Sequence, residues 1–177
     1  MPIDMTADAD LSHDGERELR ALAAAVYPPA VIPTLPGSAL AWARAERRIL
    51  VRDGGCLVAH VGLLSRAVSL DGHTVRVGGI LGVMTHPAAR GRGHASAGMR
   101  CAAARFAREP DLAFALLTCP PARVPFYARL GWRRFGGRLL VAQPDGVIAF
   151  TVGAVLVLPV QGPAPEAGTL DLCGLPW

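Results

Sequence analysis

A chain of 177 residues, 51% hydrophobic with a mean hydropathy of +0.34, has enough apolar material for one well-buried domain, which excludes a wholly disordered segment. Its 18 Lys plus Arg exceed its 14 Asp plus Glu to give +4. The excess is carried by arginine, whose planar fork suits phosphate, but it is too small and scattered to imply nucleic acid. The four cysteines, Cys56, Cys101, Cys119 and Cys173, form no C-x-x-C pair, so they imply neither a zinc site nor a disulfide framework and read as buried free thiols.

The stretch from Met1 to Glu18 is acidic and lacks a basic segment followed by an apolar one, so no secretory signal is expected. Leu19, Leu22, Ala23 and Val26 recur at helical spacing within Asp14 to Tyr27, a first amphipathic helix that Pro28-Pro29 ends. Pro28, Pro29, Pro33 and Pro36 then predict a semi-rigid loop, followed by a short helix around Ser38 to Arg47. Arg48 to Arg52 and Cys56 to Leu70 alternate as strands about the turn Asp53-Gly54-Gly55. After Asp71-Gly72 the next strand runs from Thr74 to Thr85, all of it antiparallel so far. Gly78, Gly79 and Gly82 inside it mark a bulge or a close approach.

Gly93 to Arg108 is alanine-rich and helical, and Ala113 to Thr118 is a short buried strand. Pro120 to Leu130 reads as a helix capped by Gly131, and a strand follows from Trp132. Arg138 to Ala142 and Ile148 to Val160 complete the strands about Pro144-Asp145-Gly146. The apolar run Val147 to Val160 contains a glycine and a proline and is too short to span a bilayer. The expectation is a single domain over 1–177, soluble and cytoplasmic, with no membrane partner.

Arg90-Gly91-Arg92-Gly93-His94-Ala95 lies after a strand and opens a helix, the context in which a glycine pattern becomes a phosphate site. Small residues at Gly91, Gly93 and Ala95 let several N–H groups converge on a diphosphate, and the positive end of the helix favours its charge. This R-x-x-G-x-A pattern, approached from Val83, resembles the GNAT superfamily of acetyl-CoA-dependent N-acetyltransferases, and the likeness extends over about Arg48 to Val160. The resemblance implies an α/β (α+β) fold whose mixed, mostly antiparallel sheet is splayed at the acetyl-CoA site and flanked by helices. It assigns acetyl-CoA to Val83, Met84, Thr85, Arg90, Gly91, Arg92, Gly93, His94 and Ala95, with Val83 and Thr85 the main-chain partners of its pantetheine arm and no metal.

Phe126-Tyr127-Ala128-Arg129-Leu130-Gly131-Trp132 is similar to the family's F-Y-x-x-x-G-F/W motif, which implies Tyr127 as the acid that protonates the departing thiolate. Val58-Ala59-His60, the Tyr127 segment and the tail Leu170 to Trp177 resemble the aminoglycoside 2'-N-acetyltransferases. That likeness implies antibiotic resistance by direct transfer, with the Trp177 carboxylate near the acceptor and Leu81 at a substrate-facing strand position where relatives carry glutamate. Only Glu46, Asp53, Asp145, Asp171 and the Trp177 carboxylate are offered as acids near the pocket, so a less cationic acceptor such as kasugamycin is expected. His60, His73, His86 and His94 are possible bases, none with an identifying spacing, and the Trp177 carboxylate or ordered water ranks beside His86 for the role. Two rivals stay open: an N-acyltransferase of nodulation-factor type, suggested by Ala59 to Leu64, and an acyl-CoA sensor without turnover. The strand Ile148 to Val160 is a possible dimer edge.

Overall fold

Ile49 and Val51 are fully buried on one side of their strand and Leu50 on the other, so this part of the sheet is covered on both faces. The computed structural model describes residues 2–177. In chain order its elements are β1 (Ile3–Ala7), α1 (His13–Val26), β2 (Arg47–Asp53), β3 (Cys56–Leu70), β4 (His73–Thr85), α2 (His94–Phe106), β5 (Leu112–Cys119), α3 (Val124–Ala128), β6 (Arg133–Arg134), β7 (Arg138–Gln143), β8 (Gly146–Ala149), β9 (Ala154–Pro159) and β10 (Thr169–Asp171).

One sheet holds all the strands, in the order β6-β9-β5-β4-β3-β10-β7-β8, with β2 on the first half of β3 and β1 on β2. The pairs β4–β5 and β10–β7 are parallel and the rest antiparallel, which is the expected mixed, mostly antiparallel sheet. On one face α2 and α3 close over Ile49, Val61, Ile80, Leu117 and Leu156 through Met99, Phe106 and Tyr127. On the other, Leu22 of α1 packs on Leu50, Leu57 and Met84, while the tail lays Leu172 and Trp177 on Leu64, Phe114 and Leu116. Ser12 begins α1 by accepting the Gly15 amide at 3.1 Å, a cap of about 1 kcal/mol.

Several expectations are corrected. Residues 38–46 form no helix, because their main chain bonds across the molecule: Gln143 holds Ala41 through both amide groups, at 2.9 and 3.1 Å, and Ala43 N–H donates to Pro176 at 2.7 Å. The strand expected from Ile148 to Val160 is two strands, β8 and β9, and β9 lies between β5 and β6 rather than along a free edge. Trp132 onward yields only the two-residue β6, and the expected helix from Pro120 to Leu130 reduces to a 3-10 turn and the short α3. Only Cys119 is a buried thiol; Cys56 and Cys173 are exposed. β1 and β10 have no counterpart in the sequence reading.

Candidate active site

β4 and β5 are joined from Arg76–Leu112 to Ile80–Leu117, and then they part. Beyond that rung Thr118 and Cys119 pair with β9 alone, and Leu81 to Thr85 pair only with β3. A fork therefore opens in the middle of the sheet. Its β4 arm carries a bulge, since His60 opposes Met84 and Gly62 opposes Leu81, leaving Gly82 and Val83 against Val61 alone. Gly82 has φ +55°, a conformation that favours glycine.

Backbone groups of successive strand residues point to opposite sides. His86 N–H donates to Val58 on β3 at 2.8 Å, so Met84 also turns its main chain toward β3, while Val83 and Thr85 turn theirs into the fork. Met84 buries its side chain beneath α1 and does not join the fork lining. Leu81, half-buried, packs with the cluster that contains Trp177.

Below the fork the chain passes through a 3-10 turn at Pro87–Ala89 into the loop that starts α2. Gly91 and Gly93 take φ +79° and +81°, and a Cβ at either would meet nothing within 4 Å. Gly93 is the N-cap and contributes no side-chain cap, and the first α2 bond runs from Ala97 N–H to Gly93. The amides of His94, Ala95 and Ser96 thus face outward at the positive end of a helix, an arrangement that fits a diphosphate. Arg90 and Arg92 are exposed beside it. Asp53, offered above as an acceptor-side acid, sits here instead, 3.5 Å from Arg92 Nη1 and 3.6 Å from buried His94 Nε2.

Tyr127 lies on the α2 face, its ring edge-on to Phe126 at 4.9 Å and Trp132 at 6.4 Å. Among the described residues its hydroxyl meets no hydrogen-bonding partner. Burial, with smaller contributions from Cys119 and Tyr27, raises its pKa well above the ordinary phenol value, so it stays protonated.

Trp177 closes the opposite face. Its indole Nε1 donates to the Leu116 carbonyl at 3.2 Å, and its main-chain oxygen accepts from the Thr118 hydroxyl at 3.0 Å, just past the last rung of the fork. Arg66 lies 5.2 Å from the ring centroid and donates to the Leu175 carbonyl at 2.9 Å. The remaining acids are engaged or remote: Glu46 accepts the Ser65 amide at 3.1 Å, Asp171 accepts the Cys173 amide at 2.8 Å, and Asp145 stands in the exposed β7–β8 turn. Tyr127 and Trp177 therefore lie on opposite faces of the sheet, while the loop glycines sit at its foot. Among the described residues no three His, Cys, Asp or Glu side chains form a metal-binding group, and no helix is long and apolar enough to cross a membrane.

Asp53 and His60 were both named as candidates, but their surroundings were not legible in the sequence. Asp53 reads as a hairpin turn residue, and nothing local places it by the loop. His60 is packed under α1, with contacts described below.

None of the curated proteins compared matches the chain. Solved structures share its fold, among them a GNAT family acetyltransferase from Brucella melitensis in complex with acetyl-CoA (15% identity, 96% of this chain and 94% of that one covered, TM-score 0.59). Others are the GNAT family N-acetyltransferase YhbS from Escherichia coli in complex with CoA (15%, 97% and 88%, TM-score 0.60) and Escherichia coli ElaA (17%, 89% and 98%, TM-score 0.61). At these identities the likeness is one of fold. A family model described as an acetyltransferase (GNAT) domain matches residues 14–135, more than half of the chain, with β2 to β5, the fork, the glycine loop and Tyr127 inside the match. The chain belongs to the GNAT acetyltransferase family.

Proposed function

We propose that this acetyltransferase moves an acetyl group from acetyl-CoA directly to an amine of a small, weakly cationic molecule at the fork between β4 and β5. The observation that carries the reading is the loop before α2, where two left-handed glycines and three outward amides leave room for a diphosphate directly below an open strand edge. Those amides, with Arg90 and Arg92, would hold the phosphates, and the main chain of Val83 and Thr85 would hold the pantetheine arm. In the transfer an N–C bond forms as the C–S bond breaks. The sulfur leaves with its electron pair, takes the proton of Tyr127, and the amine gives its own proton to solvent.

Leu81 and Trp177 lie on the face opposite α2, which gives them the acceptor side. An aminoglycoside would enter there, and the tail with its Trp177 at the fork supports that reading. The shortage of unengaged carboxylates favours a kasugamycin-like acceptor over a polycation. Val147 is 60% exposed on β8, which has an open edge, and this favours β8 over β9 for pairing two copies of the chain.

Thiol release from acetyl-CoA, measured with kasugamycin, gentamicin, tobramycin and simple amines, tests the reaction and the acceptor together. Kasugamycin should be the fastest of the three antibiotics; equal rates with gentamicin would overturn the low-charge acceptor. Gly93→Val should raise the apparent KM for acetyl-CoA at least about tenfold, since a β-branched residue resists positive φ and crowds the anion site. An unchanged KM would remove the donor site from this loop.

A further inference from the structure

His60 is only 2% exposed, yet both ring nitrogens are engaged. Nδ1 lies 2.7 Å from the Gly82 carbonyl and Nε2 lies 3.2 Å from Arg48 Nη1. A guanidinium can only donate and a carbonyl can only accept. Nε2 must therefore carry the lone pair and Nδ1 the proton, which makes the ring a neutral Nδ1–H imidazole. Arg48 is in turn ion-paired through Nε to Asp8, the residue that follows β1. Asp8, Arg48, His60 and the Gly82 carbonyl thus form one line across β2, β3 and β4 with the buried ring at its centre, and Leu50 and Met84 flank that ring as its cross-strand neighbours.

The line ends on the bulge. Gly82 is the residue that takes positive φ, and it lets two residues of β4 face one of β3. If that carbonyl lost its donor, the strand could relax to an unbulged ladder. A one-residue slip reverses the direction of every residue beyond it. Val83 and Thr85 would then point at β3, and the fork would lose its main-chain groups.

We propose that His60 is a positioning residue which, as the Nδ1–H tautomer, holds the Gly82 carbonyl and thereby keeps the main chain of Val83 and Thr85 aimed into the donor channel. This rests on the reading of that channel as the acetyl-CoA track. An apolar residue at position 60 could fill the space but would take the ring donor from the Gly82 carbonyl and leave Arg48 with Asp8 alone.

Three variants and one spectrum test it in the full chain. His60→Asn places an amide N–H where Nδ1–H stands, whereas His60→Gln reaches only toward the Nε2 position. His60→Gln should raise KM for acetyl-CoA about tenfold, the worth of a buried hydrogen bond, with kcat within about twofold, and His60→Asn should restore KM to within about twofold of wild type. A wild-type KM in His60→Gln beside a raised KM in Gly93→Val would overturn the latch, as would a His60→Asn no better than His60→Gln. A wild-type KM in Gly93→Val as well would overturn the donor-site reading beneath it. The 15N imidazole spectrum of the wild-type protein at pH 7 does not depend on any variant folding. A neutral Nδ1–H ring is expected, and an Nε2–H or cationic ring would overturn the proposal.

Discussion

Tyr127 shows how one residue's surroundings set what it can do. Burial holds its phenol protonated, so it is poor as a base and always carries a proton to present to the departing thiolate, although the same burial weakens it as an acid and makes hydrogen bonding to the sulfur its first contribution. Tyr127→Phe should lower kcat about a hundredfold, the lower range for a general acid, while KM for acetyl-CoA stays within about twofold. Because the phenol titrates far above neutrality, the wild-type rate should show no alkaline decline below pH 9 that disappears in Tyr127→Phe. A steady-state pH profile of both proteins checks this. The candidate residues at this scale were legible where a motif fixes them, as with Gly91, Gly93 and Tyr127. Asp53 was not, because its meeting with Arg92 and His94 depends on a hairpin folding back beside a loop 39 residues away along the chain.

Among the elements, the junction of β4, β5 and the tail is the most tightly fitted. Gly79 and Leu116 are direct partners across the last part of the β4–β5 ladder, and the Trp177 ring lies over them. A Cβ at Gly79 would fall 2.6 Å from the indole and 2.9 Å from Leu64, both packed in the core, so neither can swing out to solvent. Gly79→Ala should destabilise the fold by about 1–3 kcal/mol, the usual range for overpacking, and raise the acceptor KM more than the donor KM; urea unfolding and two-substrate kinetics give both numbers. Strands were readable when turn residues bracketed them, and β3 runs from Cys56 to Leu70 just as Asp53-Gly54-Gly55 and Asp71-Gly72 suggest. β10 was invisible because three residues carry no period, and it exists only through pairing with β3 and β7. A short helix was expected around Ser38 to Arg47, but long-range bonds to Gln143 and Pro176 take up its main chain instead.

For the molecule as a whole, the buried imidazole couples stability to pH. Burial, followed by the nearby Arg48 charge and despite the Gly82 carbonyl and Asp8, lowers the pKa of His60 from 6.5 to about 4. Between those values the unfolded chain takes up a proton that the folded chain refuses. The stabilisation is thus complete above pH 6.5 and lost as pH falls toward 4, with a full span of about 3 kcal/mol. Glu18, lowered by its hydrogen bond to Arg52, acts in the same direction below 4.5. Urea midpoints should therefore drop from pH 7 to pH 5 in the wild type and change little in His60→Asn; parallel curves would contradict this. A further consequence follows from the stapling of residues 41–43, which follow the Pro-rich loop. Gln143 grips Ala41 from both sides, Ala43 is tied to Pro176, and Trp42 stands edge-on to Phe150 at 6.1 Å. A segment fixed in this way is not a gate that closes over a guest. Its ordering entropy is spent during folding rather than at each encounter, so the enzyme would admit amines by contour, binding a narrow set and excluding near neighbours that a hinged cover would accommodate.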